Sequence, residues 1–81
     1  MQETIVNVDE QRQEIDRIDR EILRLVRERA LARDVLTKAR REQGLPAHSA
    51  TDEHKKIQMF GAEIGSEAPI LAEILRKVQP E

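Results

Sequence analysis

The residues best able to do chemistry in this chain are arginines standing where a helix core pattern asks for apolar side chains. Ile15, Ile18, Ile22, Leu25, Ala32, Leu36 and Ala39 recur at alternating steps of three and four, the seam of a packed helix. Continued past Leu25, the seam reaches Arg29. A guanidinium in a seam is costly unless it is paired or meets an anionic ligand. Arg40 follows eleven residues later, almost a whole number of helical turns, so it projects from nearly the same face. Arg33, one turn after Arg29, adds like charge and reads as a solvated or salt-bridged side chain. Arg12 precedes Arg29 by about 25 Å of helix axis, too far for the two to hold one small ligand. In an antiparallel dimer, Arg12 of a second copy reaches the Arg29/Arg40 face. That arrangement builds two equivalent cationic pockets suited to a small dianion.

Other chemistry is thinly represented. Two readings stand for Glu53: it compensates the charge of Arg40, or it accepts a hydrogen bond from a ligand hydroxyl. His48 and His54, with no cysteine in the chain, read as surface residues at a helix start, and no metal site is expected. Ser49 lacks a recognisable base and orienting acid, so its expected role is a helix cap. No glycine loop for phosphate is present, and the lack of cysteine excludes disulfides and a thiolate nucleophile.

The elements that must position these side chains are all helical. No Gly or Pro interrupts residues 8–43, which predicts one long helix, started by Asn7 or Asp9 and stopped by Gly44 and Pro46. Pairs such as Asp16/Arg20 and Asp34/Lys38 support its exposed faces. Ser49, with Asp52 three residues on, caps a second helix over about 50–64. Ile57, Phe60 and Ile64 are its apolar stripe, Gly61 weakens it and Gly65 ends it. Ser66 is the expected cap of a third helix over about 67–78, with Pro69 in its first turn. The expected class is all-α: a single domain over residues 1–81, built from one long and two short helices. Charged residues make up 37% of the chain, yet the formal net charge is only −2. That balance gives no general attraction to nucleic acid or anionic membrane. No apolar run is long enough to span a bilayer, and a cytoplasmic protein is expected.

Length sets the assembly. A helix of about 35 residues is roughly 52 Å long, whereas a compact chain of this size has a radius of gyration of about 12 Å and a body roughly 30 Å across. Two short helices cannot cover the long one. Its protruding seam calls for another copy, and an intertwined two-fold homodimer is the economical solution.

These residues resemble a known family. The stretch containing Arg12, Ile15-Asp16-Arg17-Ile18-Asp19, Ile22-Leu23-Arg24-Leu25-Val26 and Arg29 is similar to the opening helix of the all-helical (AroQ-type) chorismate mutases. Lys38-Ala39-Arg40 and Gly44-Leu45-Pro46 look like that helix's end and exit, and the match runs over residues 8–57. The resemblance implies an isomerase that rearranges chorismate to prephenate in phenylalanine and tyrosine biosynthesis, working as an interlocked homodimer without cofactor. It implies carboxylate binding by Arg29 and by the second copy's Arg12. Arg40 would face a carboxylate and the ether oxygen, Ser49 would contact the substrate, and Glu53 would accept from the ring hydroxyl. Arg29, Arg40 and Glu53 are then the catalytic set. The chain departs from the family at Asp52, where arginine is usual, placing an anion beside an anionic ligand. Short members of this kind resemble the actinobacterial mutases, weak alone and stimulated by complex formation with heptulosonate-phosphate synthase. Isochorismate-pyruvate lyases share the Ile-Asp-x-Ile-Asp block, and a catalytically weak binding or regulatory module is the remaining alternative.

Overall fold

The computed structural model describes residues 5–80. They form helix α1 (Val8–Glu42), helix α2 (Ala50–Ile64), a 3₁₀ turn (Gly65–Glu67) and helix α3 (Ala68–Lys77). There is no strand among them.

Local chemistry explains both ends of α1. Asn7, in extended backbone, accepts the Glu10 N–H through its side chain at 3.1 Å, and Asp9 and Glu10 sit at the positive end of the helix dipole. The helix stops at Glu42, one residue earlier than the spacing predicts. Gly44 turns left-handed at φ +71°, letting its N–H reach the Arg41 carbonyl at 3.1 Å and the Leu45 N–H reach the Arg40 carbonyl at 2.8 Å. That is a Schellman stop. It pins the backbone of Arg40. Along the shaft the Asp34–Lys38 pair closes at 2.9 Å. Asp16 and Arg20 do not pair; Arg17 binds Glu14 instead, and Arg24 binds both Glu21 and Glu28.

Ser49 caps α2, its Oγ accepting the Asp52 N–H at 3.2 Å. The expected cap of the third helix is corrected. Ser66 lies inside the 3₁₀ turn, and α3 starts after Glu67 without a side-chain cap. A capping side chain needs extended backbone at its own residue, which the turn denies it. The route between α2 and α3 depends on Gly65 at φ +72°, and the two helices approach closely. A Cβ built at Gly61 would stand 3.9 Å from that of Ala68.

The core is minute. Among the described residues Ala30 of α1 and Ala68, Ala72 and Leu75 of α3 are the buried hydrophobic ones, and no large side chain is fully buried. Three alanines and a leucine cannot stabilise a chain of this length alone. The seam of α1 stands in the open, with Ile15, Ile22 and Leu25 each about half exposed. The radius of gyration is 17.8 Å and the extents are 63 × 28 × 18 Å, against about 12 Å expected for a compact chain of this length. No helix among the described residues is long and apolar enough to cross a membrane.

Candidate active site

The last three turns of α1 and the first turn of α2 converge because the Gly44 stop folds the chain back within a few residues. Between them lies a cleft of about 270 Å³ lined by Arg33, Thr37, Arg40, Ser49, Asp52 and Glu53, among others. Lys55 and Lys56 also border it, so cations outnumber carboxylates.

Three of the expected residues, Arg40, Ser49 and Glu53, come together here. Arg40 is mostly buried and donates from Nη2 to Asp52 Oδ2 at 2.9 Å. Ser49 is committed to the cap. Glu53 does not compensate Arg40; its Oε1 lies 3.4 Å from Nε of Arg76. Asp52 takes Arg40 because the capping bond fixes the first turn of α2, and the next residue is rotated by about 100°, toward α3.

Arg29 is not among the residues lining the cleft. It sits about three turns before Arg40 on nearly the same face of α1. It is half-buried, and its Nη1 is buried without a hydrogen-bond partner. A buried guanidinium nitrogen left unpaired costs free energy on the order of 1–3 kcal/mol, which an anionic acceptor would recover. Arg12 is exposed, about 40 Å from Arg40 along the helix axis, outside the cleft.

Two side chains that border the site escape a sequence reading, Arg33 and Arg76. Arg33 is not merely solvated. Its Nη1 donates to the Arg76 carbonyl at 2.7 Å and to the Leu75 carbonyl at 3.4 Å, closing the carbonyl end of α3. Arg76 then reaches Glu53, so α1, α3 and α2 are tied in sequence. No local signal marks either contact. The single hint is that Arg33 shares the face of Arg29 and Arg40. A wider hollow of about 710 Å³ opens beside the cleft, bordered by Arg33, Ser49, Glu53, His54, Ile57 and Arg76. Among the described residues no group of three His, Asp or Glu side chains could hold a metal ion.

Cationic side chains gathered around a small cleft at the junction of a long and a short helix fit a compact anionic ligand. The family model for chorismate mutase type II matches residues 11–80. The chain belongs to that family. Its activity is accordingly that of an isomerase, chorismate mutase. Among solved structures this mutase is similar to a chain of the non-covalent complex of DAHP synthase and chorismate mutase from Corynebacterium glutamicum with bound transition state analog. The two share 38% identity over 86% of this chain and 84% of that one, with a TM-score of 0.81. No curated protein matches the mutase significantly. In this cleft the guanidinium of Arg40 already holds a carboxylate, that of Asp52.

Proposed function

We propose that residues 1–81 work as one domain in a homodimer whose α1 seams cross, each site taking Arg12 from the second copy. The exposed seam supports this, since a row of half-exposed isoleucines and leucines would be covered by its counterpart at about 25 cal/mol per Å² removed from water. Arg29 and the second copy's Arg12 bind the two carboxylates of chorismate. Arg40 lies toward a carboxylate and the ether oxygen, Glu53 accepts from the ring hydroxyl, and Ser49 borders the substrate from the cap. The rearrangement breaks the ether C–O bond as a new C–C bond forms, without an enzyme nucleophile. The protein's part is to hold the dianion in its compact conformer and to set positive charge beside the oxygen that gains electron density.

The observation that carries this assignment is the buried, unpartnered Nη1 of Arg29 on the face that also presents Arg40. The test is chorismate consumption by the purified chain, followed by absorbance, with prephenate identified as product. Release of pyruvate from isochorismate instead would assign the lyase reaction.

A partner belongs to the same proposal. The similar Corynebacterium chain occurs in a complex with DAHP synthase, the heptulosonate-phosphate synthase. We expect that enzyme to bind this dimer in the cytoplasm and raise a low intrinsic turnover. Titrating the synthase into the assay tests the point; an unchanged rate at saturating synthase contradicts it.

A further inference from the structure

The two arginines on the working face of α1 are in opposite states. Arg29 has a buried nitrogen with no acceptor. Arg40 has its acceptor already, Asp52 Oδ2 at 2.9 Å from Nη2. Both partners of that pair are held by backbone geometry. The Arg40 carbonyl takes the Leu45 N–H in the stop of α1, and the Asp52 N–H is bound by Ser49 Oγ in the cap of α2. Asp52 also lies in the first turn of α2, where the helix dipole favours an anion whether or not Arg40 is present. The remaining carboxylate of that turn is engaged elsewhere, Glu53 being 3.4 Å from Arg76. A carboxylate is thus presented to the guanidinium of Arg40 on the wall of the cleft, where a substrate carboxylate would come to rest.

We infer that Asp52 is a built-in occupant of the anion site at Arg40 and thereby a determinant of substrate affinity. The inference rests on the mutase reading of the cleft. An arriving dianion meets like charge at its landing point and must displace the Asp52 carboxylate from Arg40. The Asp52 side chain is 51% exposed, so water can solvate it once it is displaced, and the exchange is reversible. The apparent affinity for substrate is lowered by the strength of one partly exposed ion pair and by the repulsion between two anions.

Asp52→Asn removes the charge while keeping the size of the side chain and the backbone N–H that Ser49 caps. In steady-state kinetics on the full chain, kcat/KM for chorismate should rise about three- to tenfold, the scale of such a pair, with the gain carried by KM. Malonate, a small dianion, supplies a readout independent of turnover: its calorimetric Kd should tighten by a similar factor in Asp52→Asn. Most of that gain should vanish when the substitution is made in an Arg40→Ala background. An unchanged or raised KM, together with unchanged malonate affinity, would overturn the inference and make Asp52 a support for Arg40. If chorismate is not turned over at all but malonate still binds tighter to Asp52→Asn, the mutase reading fails and the occupant stands.

Discussion

The two halves of α1 belong to one unbroken helix and lead different lives. From Val8 to about Arg27 the apolar seam faces solvent, and the charges close on neighbours a turn away, Arg17 on Glu14 and Arg24 on Glu21 and Glu28. From Ala30 to Glu42 the arginines reach across the fold instead: Arg33 to the carbonyl end of α3, Arg40 to Asp52 of α2. Exposed pairs three or four residues apart contribute a few tenths of a kcal/mol and tie nothing together. The long-range ones fix where three helices meet. The C-terminal half therefore builds the cleft, while the N-terminal half offers a long apolar stripe and Arg12. In the proposed dimer the first half of one copy would complete the cleft built by the second half of the other.

The largest effect should separate the halves outright. Arg29→Ala or Arg40→Ala should each lower kcat/KM by roughly 10²–10³, about 3–4 kcal/mol of transition-state stabilisation. Arg17→Ala, an equally large truncation on the bare half, should leave it within about twofold. Full turnover in either of the first two would break the site assignment.

Next comes the seam. Ile22 and Leu23 are adjacent and similarly exposed, 52% and 58%, but only Ile22 lies on the seam. Ile22→Glu should dissociate the dimer in sedimentation velocity, since each copy forfeits about 1.5–3 kcal/mol of apolar burial and must bury a charge besides. Leu23→Glu should sediment as the parent does. Equal behaviour of the two variants would mean the seam is not the contact.

A smaller loss is expected at the joint between α1 and α3. Arg33→Ala frees two terminal carbonyls and should cost about 1–2 kcal/mol in urea unfolding. Arg33→Lys should recover only part, because a single ammonium cannot reproduce the forked contact.

The smallest effect belongs to the bare half. The carboxyls of Glu14 and Glu21 are held below the ordinary value of 4.5 by side-chain hydrogen bonds and charge attraction from Arg17 and Arg24. A lowered folded value means their contribution is complete above the ordinary value and is lost as pH falls through the folded one. Acidification from about pH 6 to about pH 3 should therefore lower Tm slightly in dilute buffer, and about 1 M salt should erase much of the difference by screening. A contribution that grew on acidification would reverse the assignment.

The sequence made α1 legible because an unbroken seam, an Asn start and a Gly44 stop all obey rules confined to a few neighbouring residues. Ser49 was legible for the same reason. Ser66 was not: whether it caps depends on the backbone after Gly65, which settles into a 3₁₀ turn that its side chain does not report. At the site, Arg29 and Arg40 stood out because charge is costly on a seam, and that cost is visible in one dimension. The partners were hidden. Arg40 meets Asp52 twelve residues away across a turn, and Arg33 meets the end of α3 more than forty residues away. Such contacts follow from how helices dock, and neither partner carries a local mark. Of the two readings open for Glu53, pairing with Arg40 fails because one residue of helical rotation sends it to Arg76 instead.

We propose that each site is completed by the Arg12 of a second copy, and subunit mixing is the decisive test. Arg12→Ala and Arg29→Ala are prepared separately, each expected to be nearly inactive, then mixed in equal amounts and allowed to exchange subunits. If the site spans two copies, half the dimers are mixed and each carries one intact site, so about a quarter of the parent activity returns. If the mixture stays as inactive as its components although exchange is verified, Arg12 and Arg29 act within one chain or not together, and the two-copy site is wrong.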